Sequence, residues 1–133
     1  MQEQIKTVKN PRNKKTKAPQ RIATTAGHIV SKNGSVSVAE LFVEMGWLTH
    51  NKLLDWKKGK IPYLERVITA NLSKISRAMK EFRRWAVHSK LKAHYTSYQH
   101  KGHKLRFSKT GHPIIEAAYS THYVLTKLNE EVS

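Results

Sequence analysis

Beyond its N-terminal segment, this chain repeats apolar side chains at the three- and four-residue steps of amphipathic helices. Ser37 and Glu40 form a capping-box pair at the start of one apolar run, and this pair predicts a short helix over residues 37–46. Thr49 provides the cap for a second helix over residues 50–58. We therefore expect two short helices joined by a turn of about four residues that begins with glycine.

The same spacing predicts three further helices. The first covers residues 21–31. The second covers residues 62–89, where a continuous apolar stripe gives a helix about 40 Å long with Pro62 in its first turn. The third covers residues 113–128, although residues 119–124 also fit a strand.

Two segments after the long predicted helix have the composition of strands. Residues 92–98 and 104–108 are rich in aromatic and β-branched side chains, alternate in polarity and flank a glycine-containing turn. This arrangement predicts a β-hairpin. The expected fold is therefore mostly α with a small β-hairpin, in one domain over residues 22–133.

Residues 37–59 combine three features in a fixed order. Gly46 opens the turn, Thr49 caps the second helix, and Trp56 anchors that helix just before two lysines and Gly59. This stretch resembles the generic bacterial helix-turn-helix pattern, and a basic hairpin after such a unit resembles a winged helix. The resemblance implies a helix-turn-helix or winged-helix-like domain that binds DNA. An ordinary pair of antiparallel helices inside a helical domain is the alternative interpretation.

The charge of the chain indicates its class of partner. It carries 25 lysines and arginines against 9 aspartates and glutamates, a formal net charge of +16 with its 8 histidines neutral. Its own carboxylates cannot neutralise this excess, so we expect an external polyanion. Nucleic acid is the leading candidate because its phosphates release condensed counterions when Lys or Arg binds. An anionic membrane is less favoured, and no run reaches the roughly 18 apolar residues of a spanning helix.

The N-terminal segment is the most basic part of the chain. Residues 1–21 hold seven cations and one acid, a net charge of +6, with almost no large apolar side chain. Such a segment cannot bury enough surface to offset its ordering entropy. We expect a disordered basic arm that lies along phosphates, and a solubilising extension or a nuclear-localisation-like patch is the alternative.

The expected DNA contacts are of two kinds, base readers and phosphate binders. In the second short helix, Asn51 and Lys52 point outward and are the expected base readers. His50 and Asp55 are further candidates, and the start of the helix over residues 62–89 is the alternative reading element. The residues expected to bind phosphates are Lys14, Lys15, Lys17, Lys57, Lys58, Arg77, Arg83, Arg84, Lys101, Lys104 and Arg106.

Patterns that carry catalysis or metal binding are weak in this sequence. The absence of cysteine excludes disulfides and thiolate ligands, and it fits an intracellular protein. Asp55 is the only aspartate, whereas a nuclease clusters carboxylates around Mg²⁺. Five of the 8 histidines fall between positions 94 and 122, but His100 and His103 lie in the predicted hairpin turn, with no acid near them except the distant Glu116, whereas a zinc site needs three or four converging ligands. We therefore expect no cofactor, no metal and no enzymatic activity.

Together these features predict a double-stranded DNA-binding protein of the cytoplasm, associated with the nucleoid and either sequence-specific or sequence-tolerant. A small transcription regulator or an accessory protein of a phage or mobile element fits this description. The alternative is an RNA-binding or ribosome-associated protein whose basic helix binds the backbone while Tyr95, Tyr98 and Phe107 of the hairpin stack on bases. A small nuclease is the third choice.

Overall fold

The computed structural model describes residues 18–126 of the chain. This part is mostly helical, with five α-helices, one 3₁₀ helix and a small antiparallel sheet. In chain order the elements are α1 (Ala18–Asn33), β1 (Ser35–Ser37), α2 (Val38–Glu44), α3 (His50–Lys57), the 3₁₀ helix (Leu64–Val67), α4 (Leu72–His88), β2 (Lys92–Tyr95), β3 (Gln99–His100), β4 (His103–Lys104), α5 (Pro113–Ser120) and β5 (Thr121–Val124).

The two short helices form where the sequence predicts them. The Ser37 hydroxyl accepts a hydrogen bond from the Glu40 N–H at 3.2 Å, and the Glu40 carboxylate accepts one from the Ser37 N–H at 2.9 Å. This capping box fixes the start of α2. Gly46 then adopts a φ of 82°, the left-handed conformation that follows many helix ends. The Thr49 hydroxyl caps α3 by accepting from the Lys52 N–H at 3.2 Å, so both helices are confirmed.

The first helix is longer than predicted. α1 covers Ala18–Asn33 instead of residues 21–31, so residues 18–21 are helical and the predicted boundary of the disordered arm at residue 21 is wrong. Pro19 is compatible with this extension because the first turn of a helix does not use its backbone N–H. The inner face of α1 packs along α4. Outside the described residues lie the three phosphate contacts predicted for the arm, Lys14, Lys15 and Lys17.

The single long helix predicted over residues 62–89 is wrong in its first part. The 3₁₀ helix Leu64–Val67 is followed by Ile68 in an extended conformation, with φ −84° and ψ 126°. α4 starts only after this break. Leu72, which the predicted apolar stripe places in the core, is 61 % exposed at the start of α4.

Hydrogen bonds to distant residues explain this break. The Thr69 N–H and the Thr69 hydroxyl both donate to the Trp47 carbonyl oxygen, at 2.7 and 3.0 Å. The Asn71 side-chain oxygen accepts from the Lys74 N–H at 2.8 Å and caps α4. The segment between the two helices therefore satisfies its polar groups without a continuous helix.

A three-stranded antiparallel sheet has β5 at its centre, in the order β1-β5-β2. Tyr123 of β5 stands opposite Val36 on one side and Ala93 on the other. The predicted pairing of residues 92–98 with residues 104–108 is therefore wrong for β2, which pairs with β5, while the end of the predicted pair is present, since the Leu105 N–H donates to the Tyr98 carbonyl oxygen at 2.8 Å. Alternating polarity identifies a strand but does not identify the strand that pairs with it.

A smaller hairpin is present within the predicted region. β3 and β4 contribute two residues each, and Gln99 stands opposite Lys104. Lys101 and Gly102 form the turn with φ angles of 52° and 79°. Two positive φ angles are the requirement of a type I′ turn, which matches the twist of a hairpin.

The helix predicted over residues 113–128 ends early. α5 covers Pro113–Ser120, and the chain continues directly into β5, Thr121–Val124, which realises the strand alternative. At the junction the Thr121 hydroxyl donates to the Ala117 carbonyl oxygen at 2.8 Å. Strands on both sides supply backbone partners to β5, so this segment gains more ladder bonds as a strand than at a helix end.

An aromatic cluster joins α3, the hairpin and α5. The Phe107 ring centre lies 4.8 Å from that of Trp56 and 5.2 Å from that of Tyr119, and the Tyr98 ring lies 5.6 Å from both Trp56 and Phe107. Phe107 is only 2 % exposed. The prediction that Phe107 stacks on nucleic-acid bases is therefore wrong, because its ring belongs to the core.

Two glutamates attach the loop after β4 to the helices. The Glu116 carboxylate accepts hydrogen bonds from two backbone N–H groups at 2.7 and 3.0 Å and from the Ser108 hydroxyl at 2.5 Å. The Glu65 carboxylate accepts from the Lys109 N–H at 3.0 Å and from the Tyr119 hydroxyl at 2.8 Å. Burial, together with this last hydrogen bond, raises the pKa of Tyr119 well above its usual value.

Candidate nucleic-acid interface

α3 presents one buried face and one exposed face. Trp56 is buried, whereas His50, Asn51 and Lys52 in the first turn are exposed and Asp55 is partly exposed. The helical rotation of about 100° per residue separates the two sets. The predicted base readers Asn51 and Lys52 therefore point away from the core, and Trp56 is confirmed as the inward anchor.

The Trp56 side chain holds α3 against the loop after β4. Its ring is 0 % exposed and packs on Phe107. Its indole N–H donates to the Arg106 carbonyl oxygen at 2.8 Å. The same carbonyl also accepts from the Leu64 N–H at 3.2 Å. One backbone oxygen therefore fixes α3 and the 3₁₀ helix to the same loop.

The end of α3 and the β3–β4 hairpin lie next to each other. A Cβ atom at Gly59 would come within 3.1 Å of the His100 ring, so a larger residue there would require this ring to shift, and the φ of 74° also favours glycine. The Lys57 ammonium lies 5.9 Å from the centre of the Tyr98 ring. Lys58, Lys101 and Lys104 are exposed in these two elements. The structure thus brings the predicted phosphate contacts of α3 and the hairpin together.

Arg106 follows the hairpin and takes a different position. Its guanidinium carbon lies 5.5 Å from the centre of the Tyr63 ring, a cation–π geometry. Its Cδ atom lies 3.2 Å from where a Cβ at Gly111 would stand. Arg106 is exposed, but these neighbours direct it toward the segments around Tyr63 and Gly111.

Of the three predicted phosphate-binding arginines of α4, Arg83 and Arg84 line one open pocket, whereas Arg77 lies elsewhere. Arg77 lines a pocket beside the α2–α3 turn. Arg83 lines a groove that also contains Tyr95. Arg84 donates to the Glu81 carboxylate at 2.9 Å, which is the ion pair that the structure shows within residues 18–126. Seven residues of helix separate Arg77 from Arg84, a distance of about 10 Å along the axis.

The sequence predicts Arg77 as a phosphate contact but does not predict that it lies beside Arg21 and Lys74. A cavity of about 340 Å³, which we name the Trp47 pocket, lies among the start of α1, the α2–α3 turn and the start of α4, and its cationic lining residues are Arg21, Lys74 and Arg77. The Lys74 ammonium lies 5.0 Å from the centre of the Trp47 ring. Lys74 and Arg77 are one helical turn apart in the sequence, but no local signal connects them with Arg21 or Trp47.

The histidines are dispersed over the domain. His94 and His122 face each other across β2 and β5 with ring centres 5.7 Å apart, and His122 shares a hydrogen bond of 2.9 Å with the Thr96 hydroxyl. His100 lies against Gly59. Within the described part of the chain, no group of three His, Cys, Asp or Glu side chains is arranged to hold a metal ion.

None of the helices in residues 18–126 has both the length and the apolar character needed to cross a membrane. No protein-family model, no curated protein and no solved structure matches the chain.

Proposed function

We propose that the chain is a double-stranded DNA-binding protein that uses α2 and α3 as a helix-turn-helix unit and the β3–β4 hairpin as a small wing. The observation that carries the proposal is the orientation of α3. Trp56 anchors it from the inside, its first turn exposes Asn51 and Lys52, and a basic hairpin adjoins its end. An α-helix fits the major groove, where side chains of this kind reach base edges.

The exposed side chains of α3 have suitable chemistry for reading bases. The Asn51 amide pairs with the donor and acceptor of adenine, and the Lys52 ammonium donates to guanine. Helix-turn-helix proteins use the N-terminal residues of the second helix for such contacts. Asn51 and Lys52 occupy this part of α3.

The lysines around the end of α3 would bind the DNA backbone. Lys57 and Lys58 of α3 lie beside the hairpin that carries Lys101 and Lys104. Contacts from such cations to phosphates would fix the register and orientation of the protein on the duplex. The net charge of +16 adds a sequence-independent attraction.

One observation supports RNA or single-stranded DNA as the second candidate. Tyr95 is 72 % exposed and offers a ring on which a base can stack. Phe107 is buried, however, and Tyr98 packs against Trp56, so the predicted row of three stacking rings is reduced to one. We therefore place duplex DNA first.

A competition experiment at fixed salt tests the proposal. Duplex DNA, single-stranded DNA and structured RNA would compete for the full chain, and we expect the duplex to bind most tightly. Raising salt from about 50 to 200 mM should lower duplex affinity by roughly 10³-fold if about six phosphates are contacted. A flat salt dependence contradicts nucleic-acid binding, and preference for a single strand favours the second candidate.

Variants of α3 test the role of its exposed face. Asn51→Ala and Lys52→Ala should lose the preference for a selected duplex over random DNA, while their stability stays within about 0.5 kcal/mol of the parent because both side chains are exposed. Lys32→Ala, an exposed lysine in the last turn of α1, is the matched control and should keep the preference. Unchanged discrimination in both α3 variants would refute α3 as the reading element.

A further inference from the structure

The Trp47 pocket combines a concentration of positive charge with an apolar wall. Arg21, Lys74 and Arg77 line it, together with buried apolar side chains that include Trp47 and Ile22. Low-dielectric walls focus the electrostatic field inside a cleft that is lined by charges of one sign. Among residues 18–126, none of those that line the pocket is an aspartate or a glutamate.

The three cations have no counter-charge within the part of the chain that the structure describes. No carboxylate in residues 18–126 forms an ion pair with Arg21, Lys74 or Arg77. Like charges around one cavity repel each other, and this repulsion falls when an anion enters. An anion that entered the pocket would therefore reduce the repulsion among these cations.

The remaining polar side chains of the pocket are also donors. Asn71 uses its side-chain oxygen to accept from the Lys74 N–H at 2.8 Å, which leaves its NH₂ group to donate. The Ser73 hydroxyl lines the same pocket. Lys74 is held over the Trp47 ring, which limits the positions that its ammonium takes. Two guanidinium forks, one ammonium, an amide and a hydroxyl match the several oxygens of a phosphate group.

We propose that the Trp47 pocket binds one phosphate of the DNA backbone and so sets the position of α3 on the duplex. This inference rests on the proposed function. Trp47 precedes the α3 cap Thr49 by two residues, so the pocket wall and this cap are at most about 7 Å apart along the chain. The major groove is about 12 Å wide. A phosphate at its edge therefore lies within reach of the pocket when the first turn of α3 enters the groove.

Removal of charge from the pocket tests the DNA contact. Arg77→Gln and Lys74→Gln keep most of the length of the exposed side chains, and we expect each to weaken binding about tenfold, equally for a selected and a random duplex. Each should also reduce the slope of log affinity against log salt by about 0.9. Lys80→Gln on α4 and Lys32→Gln on α1 are matched controls, because they remove one exposed charge outside the pocket. These two controls should change the DNA affinity and the salt slope less than Arg77→Gln and Lys74→Gln do.

Inorganic phosphate tests the pocket without DNA. Titration of the full chain, followed by amide and indole NMR signals, should shift Trp47, Asn71 and Lys74 saturably in the parent and in Lys80→Gln, but not in Arg77→Gln. If phosphate shifts these signals while duplex DNA does not bind, the phosphate site stands and its assignment to a DNA backbone falls with the proposed function. If duplex DNA binds with the expected salt slope and Arg77→Gln leaves that slope and the affinity unchanged, the pocket proposal is overturned and the proposed function remains.

Discussion

Replacement of Trp56 by alanine is expected to destabilise the domain by about 4 kcal/mol. Trp56 is 0 % exposed and lies between α3 and the loop after β4. Its ring contacts Phe107 at 4.8 Å and Tyr98 at 5.6 Å between ring centres. Loss of the indole therefore removes the contact that joins the proposed reading helix to the rest of the core.

The magnitude follows from the burial and the hydrogen bond. A tryptophan side chain buries about 200 Å², which corresponds to about 5 kcal/mol at about 25 cal/mol per Å². Alanine retains a methyl group and the surrounding side chains relax into part of the cavity, so the net loss is smaller. The indole hydrogen bond contributes about 1 kcal/mol. Because the Arg106 carbonyl keeps the Leu64 N–H as a donor, it does not become an unsatisfied buried acceptor.

Trp56→Phe separates packing from hydrogen bonding. Phenylalanine keeps an aromatic ring against Phe107 but has no N–H for the Arg106 carbonyl. We expect this variant to lose about 1–2 kcal/mol, since it forfeits one hydrogen bond and part of the ring volume. The order of stability should be parent, Trp56→Phe, Trp56→Ala.

Urea unfolding followed by far-UV circular dichroism measures these differences, because the signal does not depend on the replaced tryptophan. Asn51→Ala on the exposed side of α3 serves as the control and should remain within about 0.5 kcal/mol of the parent. The reasoning is refuted if Trp56→Ala loses less than about 1.5 kcal/mol with an unchanged denaturant slope. DNA affinity of Trp56→Ala should fall only in proportion to the unfolded fraction.

Two further predictions concern the glutamate contacts of the loop after β4. Glu116→Ala removes the acceptor of three hydrogen bonds and should cost about 3 kcal/mol in urea unfolding. Glu116→Gln keeps one side-chain oxygen and should cost less. A loss below about 0.5 kcal/mol in both variants would contradict a stabilising role of these hydrogen bonds. The raised pKa of Tyr119 keeps its hydroxyl protonated in the folded state, while the unfolded state ionises near pH 10.0. Stability should therefore fall as pH rises above that value, by about 1.4 kcal/mol per pH unit from this group, and Tyr119→Phe should show a correspondingly shallower decline in urea unfolding between pH 9 and 11. An identical dependence of stability on pH in the parent and in Tyr119→Phe would contradict this prediction.

The parts of the fold that the sequence predicts correctly depend on local interactions. The capping box of Ser37 and Glu40 and the cap from Thr49 join residues three positions apart, and both form as expected. The break before α4 depends instead on hydrogen bonds from Thr69 to Trp47, which is 22 residues away. The apolar spacing continues through the break and contains no sign of it.

The same distinction applies to the sheet and to the candidate site. Residues of β2 have the alternating pattern of a strand, but their pairing with β5 is a tertiary choice that this pattern does not encode. The exposure of Asn51 and Lys52 follows from helical phase and is confirmed. The Trp47 pocket takes Arg21, Trp47 and Lys74 from three separate elements, so only the folded structure reveals it.

The central position of β5 has a consequence for the order of folding. The ladder between β1 and β5 pairs Ser35 with Val124, so it closes a loop of 124 − 35 = 89 residues. Closing such a loop costs about 4 kcal/mol of chain entropy. The caps of α2 and α3 join residues three positions apart, so their entropy cost of loop closure is much smaller. The helices around the α2–α3 turn therefore form early. The sheet forms late, because β1 and β2 both pair with β5, which is the last strand within residues 18–126. Substitutions in β5 should then change the unfolding rate more than the folding rate.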